Sequence, residues 1–434
     1  MPPRVAILAQ EDSRLPAMPD TMGSLTRIVH ELSLRLAHRY DVRVYSTRRE
    51  PADAPDERRD GMRHVRFVPG TDRALLASYF RWRNRLGRRF GLAERQYAGS
   101  RGYFAGYIRR IAHHLARQPV ELVHLHNVTQ FLRPLRRALP HGRLVLQMHC
   151  EWLVELPRDV IATRLAATDL VLGVSEHIVR QIQAAFPAIA GRCRVLHNGV
   201  DPAVFAPRER VAVERADDVA ALRRRLDVRA PAILYVGRLS SEKGVHVLLE
   251  AFTRLRARHA DATCIVVGPD WGPIRKVRPA RSDFAHLDDD YVGRLRALAA
   301  PHGPRVVLAG SVPNHELPLY HALADVLAAP SLLEAFGIPV VEAGASGLPV
   351  VATTIGGFTD TVVPGKTGLL VPPGDADALA AALEDVLANP ERARALGAAA
   401  RDRVVSRFSW DGIASTLAGY YDDALGARTA GRAA

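Results

Sequence analysis

The stretch Pro330-Ser331-Leu332-Leu333-Glu334-Ala335-Phe336-Gly337-Ile338-Pro339-Val340-Val341-Glu342-Ala343 decides how the chain is read. It follows a short apolar run at 326–329 that reads as a buried strand, so Glu334 and its successors fall on a strand-to-helix loop. Gly337 lets the backbone turn tightly, and Pro339 suits the start of a helix, where a missing N–H costs nothing. The amides of Phe336, Gly337 and Ile338 are then expected to point out of a helix amino terminus, a place where hydroxyl oxygens and phosphates bind. Glu342, about one turn into the helix, can accept hydrogen bonds from a vicinal diol such as a ribose. Glu334 can do the same for sugar hydroxyls. Taken singly, either glutamate also reads as a capping or surface acid; the string as a whole points to a site.

A second string, Tyr235-Val236-Gly237-Arg238-Leu239-Ser240-Ser241-Glu242-Lys243-Gly244, has the same grammar. An apolar strand at 232–236 ends at Gly237, and Arg238 and Lys243 lie on the loop that enters a helix at 245–252. Two cations there suit a diphosphate, whose charge grows as a bond to it breaks. The plain alternative is a solvated loop. Lys243 is one of only three lysines among 59 basic residues, which favours the functional reading.

Outward from these strings, short β-branched runs alternate with amphipathic helices along the chain. Strands are expected at 5–9, 42–46, 64–67, 122–126, 144–149, 170–174 and 194–197, then at 232–236, 263–267, 305–308, 326–329, 349–353 and 368–371. A helix at 25–39 carries Ile28, Leu32 and Leu36 on one face. This is the pattern of doubly wound parallel sheets. A charged stretch at 208–229 separates the two series. The expected division is 1–205, a linker and surface helix at 206–230, a second domain at 231–408, and a carboxyl-terminal helix at 409–434 that returns to the first domain and frays after Tyr421. Two such halves are expected to face one another across a cleft bordered by strand carboxyl ends, where open α/β folds bind ligands.

Loops of the first half supply further candidates. Gly23-Ser24 precedes the first helix and can bring amides near a phosphate or an acceptor. His126-Asn127 ends one strand and His149 ends another. A structural histidine is the alternative for each.

Composition narrows the class. With 434 residues, 48% apolar and 24% charged, the chain is expected to fold as two or three domains. Cys150, Cys193 and Cys264 are odd in number and far apart, which supports neither a disulfide framework nor a zinc site and fits a cytoplasmic protein. The first apolar run is too short for a signal peptide, and no window supplies the roughly 18 apolar residues of a membrane span. The net charge is +13, and most of it sits between Arg73 and Gln118, where eleven arginines face one acid, Glu94.

In this order the strings resemble the large family 4 of retaining glycosyltransferases, the glycogen synthase and sucrose synthase superfamily, whose fold is GT-B. The resemblance extends to Asn198-Gly199-Val200-Asp201, Gly347-Leu348-Pro349 and Gly356-Gly357. It implies two Rossmann-like domains and transfer of a hexosyl group from a nucleoside-diphosphate sugar, UDP- or GDP-linked, to an acceptor hydroxyl on a small molecule, a glycan or a lipid-linked acceptor. It also implies that Gly237 lines the donor site and that Arg238 and Lys243 hold the diphosphate and stabilise the leaving group. Glu342 is implied to take the ribose, Glu334 with the backbone of Phe336, Gly337 and Ile338 the donor-sugar hydroxyls, and His149 the donor sugar or the reacting centre. Gly23, Ser24, His126 and Asn127 are expected on the acceptor side. No cofactor or metal is expected. Two departures stand out: Gly23-Ser24 replaces the usual Gly-Gly, and Asp360 stands where a glutamate is usual. The acidic run Asp288-Asp289-Asp290, near Trp271, reads as a solvated helix start. A non-catalytic nucleotide-sugar-binding protein and an epimerase are the competing functions. Because Glu334 and Lys243 are both expected on loops, alanine at either is expected to abolish transfer and leave the fold intact.

The basic segment interleaves its arginines with aromatics such as Tyr79, Trp82, Phe90 and Tyr107. Three readings stay open: peripheral contact with an anionic membrane, a platform for an anionic acceptor, or a solvated arginine face whose aromatics pack inward. Nucleic acid is not an expected partner, since no recognition motif accompanies the charge.

Overall fold

The computed structural model describes residues 1–9, 23–48, 53–68, 72–90, 104–269 and 290–430. It divides into two compact units, Met1–Leu196 with Ile413–Ala434, and His197–Gly412.

The first unit is built on strands β1 (Arg4–Leu8), β2 (Asp41–Thr47), β3 (Asp56–Arg59), β4 (Met62–Phe67), β5 (Leu122–His126), β6 (Arg143–Met148), β7 (Leu170–Gly173) and β8 (Cys193–Val195). Their order is β3-β4-β2-β1-β5-β6-β7-β8, and every pairing is parallel except β3 with β4. Strand β5 is buried along its whole length, as a central parallel strand covered on both faces must be. The helix Ser24–Leu36 turns Ile28, Leu32 and Leu36 into this core, as its spacing predicts.

One strand lies outside the sequence expectation. Strand β3 is Asp-Glu-Arg-Arg at the sheet edge, with no apolar face to announce it. It joins β4 through Asp60-Gly61, both at positive φ (53° and 74°), a two-residue hairpin turn that Asp-Gly favours.

The last helix, Trp410–Ala430, rejoins the first unit at Ile413 and continues past Tyr421, where fraying was expected. Burial explains the difference. Tyr421 is fully buried, its hydroxyl 2.7 Å from His124 Nδ1, and the Tyr40 hydroxyl donates to Asp422 at 2.8 Å.

The second unit carries β9 (Ala232–Val236), β10 (Thr263–Val267), β11 (Val306–Gly310), β12 (Val326–Ala329), β13 (Val350–Thr353) and β14 (Leu369–Val371). All are parallel, in the order β11-β10-β9-β12-β13-β14. Chain progress reverses between the neighbours β9 and β12, so the loops that follow them leave the sheet side by side. Ile233, Leu248, Phe252, Cys264, Leu295 and Leu383 form part of the core beneath them. Each fully buried apolar side chain of this kind stabilises by about 1.5–3 kcal/mol.

The charged stretch between the two strand series forms the helices Arg208–Glu214 and Ala216–Arg225. Both pack on the helix Leu317–Leu323, burying Val211, Val219 and Leu222. Asp290 caps the helix Tyr291–Ala299, accepting from the Gly293 amide at 3.1 Å, so it is a helix start as expected. Asp288, Asp289 and Trp271 lie outside the described residues.

Candidate active site

Three loops of the second unit converge at the switch point. After β9 the chain makes a short 3-10 turn, Ser241–Lys243, and reaches Gly244 with φ +67°. A Cβ there would stand 2.0 Å from the carbonyl oxygen of Pro330, so only glycine permits this approach to the loop after β12. The contact is reinforced where the amides of Leu332 and Leu333 donate to the Glu242 carbonyl at 2.8 and 3.2 Å. From the other side comes the loop after β13. The Gly357 amide donates to the Glu334 carbonyl at 3.0 Å, and a Cβ on Gly356 would lie 1.8 Å from that same oxygen.

This backbone clamp places the side chains of the two strings together. Lys243 Nζ donates to Glu334 Oε2 at 2.8 Å, with only 16% and 13% of the two side chains exposed. The Ser331 hydroxyl donates to the same oxygen at 3.4 Å, and the Phe336 amide approaches Oε1 at 3.5 Å. Arg238 is more open; its Nη2 lies 3.4 Å from Oε1 of the buried Glu242. The Tyr235 hydroxyl donates to the Arg238 carbonyl at 2.8 Å, and burial pushes that phenol well above its ordinary value, so it stays a donor. Each cation of the site is therefore held against a carboxylate. Glu242 was not singled out in the sequence, because nothing in its local context shows that it is buried.

Although Lys243 and Glu334 lie on loops, they pair in a mostly buried place, so removing either is expected to cost stability.

Glu342 is buried on the helix Ile338–Ala345. Gly337 precedes that helix at φ +94°, and Ile338 opens it. The Phe336 ring belongs to the core, edge-on to Phe408 at 5.8 Å and beside His197 at 5.7 Å, so only its backbone is offered to a ligand. His197 Nε2 lies 3.2 Å from Asp360 Oδ2, a pair that joins residues 163 apart in sequence. Its only sequence signal was that Asp360 follows the Gly356-Gly357 turn.

The candidates of the first unit gather at the ends of β5 and β6, except Gly23 and Ser24. These two open the helix Ser24–Leu36 in the connection that follows β1, the neighbour of β5. His126 Nδ1 lies 2.9 Å from His149 Nε2. The His124 ring stacks on His126 at 4.4 Å, and His126 on His149 at 5.1 Å. Asn127, at φ +63°, accepts from the His149 amide at 2.8 Å and so fixes the turn that presents this histidine. Burial pulls His124 and His149 down to about 3 and His126 well below the ordinary histidine value. The three rings are neutral at pH 7, with one hydrogen bond joining His126 to His149 and stacking alone joining His124 to His126. His124 was missed in the sequence because mid-strand it looks like any core residue.

Among the described residues no group of three or more His, Cys, Asp or Glu side chains could hold a metal ion. No helix among them is long and apolar enough to cross a membrane.

Comparisons with known proteins agree with this geometry. Residues 25–204 match the family described as Glycosyltransferase Family 4, and residues 222–403 match Glycosyl transferases group 1. A GDP-mannose-dependent alpha-(1-6)-phosphatidylinositol monomannoside mannosyltransferase of Mycobacterium tuberculosis is 32% identical over 309 residues, covering 68% of this chain and 73% of that one. A glycogen synthase of the same organism is 29% identical over 432 residues, covering 93% and 92%. Sucrose-phosphate synthase from Thermosynechococcus elongatus has a similar structure, with TM-score 0.73 at 24% identity, covering 98% of this chain and 100% of that one. The two parallel-sheet units have the GT-B fold, and the family matches make the chain a glycosyltransferase. The chain belongs to glycosyltransferase family 4 and is a hexosyltransferase whose donor is a nucleotide sugar.

Proposed function

We propose that the protein moves a hexosyl group from a UDP- or GDP-sugar to an acceptor hydroxyl with retention of anomeric configuration, without a metal ion. The observation that carries this reading is the Lys243–Glu334 pair at 2.8 Å, clamped between the loops after β9 and β12. An ammonium and a carboxylate fixed together serve the two ends of such a donor: the cation meets the diphosphate, and the carboxylate accepts from sugar hydroxyls. Arg238, the more exposed cation, adds a planar fork for a second phosphate oxygen. Glu342 takes the ribose, and the backbone of Gly237, Phe336, Gly337 and Ile338 supplies hydrogen bonds.

Positive charge beside the departing diphosphate lowers the barrier most as the glycosidic bond lengthens and negative charge builds on phosphate oxygen. The leaving phosphate then accepts the proton of the incoming hydroxyl, so the new bond forms on the face from which the old one departs. Glu334 acts by positioning and not as a nucleophile, because its Oε2 is held by Lys243 and Ser331. From the first unit we assign His149 to the reacting sugar, with its tautomer set by His126, and Gly23, Ser24 and Asn127 to the acceptor side.

The test is a panel of UDP- and GDP-hexoses read by melting temperature, followed by NMR of the product anomer. One base with one hexose raises the melting temperature, and the product keeps the donor's configuration. A panel with no stabilising member, or an inverted product, refutes the reading.

A further inference from the structure

The structure separates the basic segment into two helices of opposite character. The second, Ala105–Arg117, buries Tyr107, Ile108, Ile111 and Leu115 in the first unit. The first, Asp72–Arg89, does the reverse. Leu75, Tyr79, Trp82 and Leu86 on this helix, and Phe90 just after it, are 71%, 52%, 61%, 43% and 67% exposed. At about 100° per residue the four on the helix fall within an arc of about 60°, one apolar stripe facing solvent that the exposed Phe90 extends. The covered side of the helix carries Gly87, buried, with Phe80 and Asn84 half-buried. The inward packing expected as one reading of these aromatics therefore holds for Tyr107 and fails for Tyr79, Trp82 and Phe90. Tyr97 and Tyr103 lie outside the described residues.

Scattered exposed apolar residues are ordinary, but four aligned on one helix with a fifth just beyond it form a patch that water does not favour. The flanks are basic. Arg83 borders the stripe on one side, and Arg85 and Arg89, both exposed, border it on the other. Long cationic side chains beside an apolar stripe keep their charge at a polar interface while the stripe enters an apolar layer. No acid occurs between Arg73 and Arg89 to oppose them.

We infer that the helix Asp72–Arg89 is a docking surface for an anionic lipid bilayer, lying in the plane of the interface with Leu75, Tyr79, Trp82, Leu86 and Phe90 among the acyl chains and Arg83, Arg85 and Arg89 at the headgroups. Charge complementarity selects the lipid, and the aromatic stripe supplies depth. A polynucleotide would meet the arginines but leave the stripe in water, and a second copy of this chain would bring the like-charged flanks together. The inference is independent of the donor site, since none of these residues belongs to it.

Sedimentation of the full chain with phosphatidylcholine vesicles, with or without phosphatidylglycerol, tests it. The protein is expected to sediment with the anionic vesicles and stay in solution with the neutral ones. Trp82→Ser with Leu86→Ser lowers the partition on the order of 10-fold or more, and Arg85→Glu with Arg89→Glu lowers it several-fold. All four positions are exposed or half-exposed on a helix surface, so melting temperatures stay within about 2 °C and the losses report binding. Equal recovery from neutral and anionic vesicles, no recovery from either, or recovery unchanged by both double substitutions overturns the inference. So does a wild-type dimer in lipid-free buffer that the Trp82→Ser, Leu86→Ser protein does not form, because the stripe would then be an interface between copies.

Discussion

Replacing Lys243 by Met and Glu334 by Gln, singly and together, isolates the interaction on which the site depends. A unit-charge pair at about 4 Å gains about 4 kcal/mol at an effective dielectric of about 20, part of which is offset by desolvation. Here the atoms are 2.8 Å apart with 16% and 13% of the side chains exposed, close to the buried limit. In Lys243→Met the carboxylate keeps, among the described residues, the long contacts from Ser331 at 3.4 Å and the Phe336 amide at 3.5 Å. Each single substitution is expected to cost about 2–4 kcal/mol, and the double substitution about 2 kcal/mol less than the sum of the two. Urea midpoints measured on all four proteins give the coupling. Transfer assays should show a loss of about 10²–10³-fold in kcat/KM for each single substitution and no rescue in the double, because the proposed reaction uses both groups. Stability losses that add within about 0.5 kcal/mol would show that the two charges do not interact and would refute the reasoning.

Other outcomes follow from the same coordinates. Gly244→Ala, which combines φ +67° with a Cβ 2.0 Å from the Pro330 oxygen, should destabilise by about 2–4 kcal/mol and abolish donor binding, read by melting temperature with and without nucleotide. Tyr421→Phe removes the partner of His124 Nδ1 and should cost about 1–3 kcal/mol of the first unit's stability, measured by denaturant unfolding. Acid should destabilise the protein well before its carboxylates protonate. His124 and His149 are held at about 3 and His64 at about 4, all below the roughly 6.5 of an unfolded histidine. The stabilisation from keeping them neutral is complete above about pH 6.5 and is lost as the pH falls towards 3 to 4. Each such group contributes a slope of about 1.4 kcal/mol per pH unit inside that window, and unfolding should take up several protons at pH 5. A stability flat between pH 7 and 5 would contradict these burial shifts.

How much of this could be read from the sequence depended on how local each feature was. Strands β5, β9, β10 and β12 fell on their expected bounds because a short, mostly apolar run bounded by turn residues has few alternative placements. Strand β3 escaped because a charged edge strand owes its existence to its neighbour, although the Asp60-Gly61 turn was a usable signal. The candidate site divided in the same way. Individual residue types on strand-to-helix loops were legible, but the Lys243–Glu334 contact, 91 positions apart, exists only because β9 and β12 are adjacent. The same adjacency explains why Gly244 must be glycine. The histidine row needed the β5–β6 register and the returning last helix, neither of which a single strand discloses. In the basic segment, composition could not tell an inward aromatic from an outward one. The stripe on Asp72–Arg89 emerged only with the helix and its burial, which showed which side faces water.

The central claim is that the loops after β9 and β12 hold a nucleoside diphosphate. Calorimetric titration of UDP and GDP into the wild type, Arg238→Met and Lys243→Met measures it directly. The account predicts that one of the two nucleotides binds the wild type and that each substitution weakens it on the order of 10-fold or more. Affinity unchanged in both variants, or binding of neither nucleotide to the wild type, would contradict it.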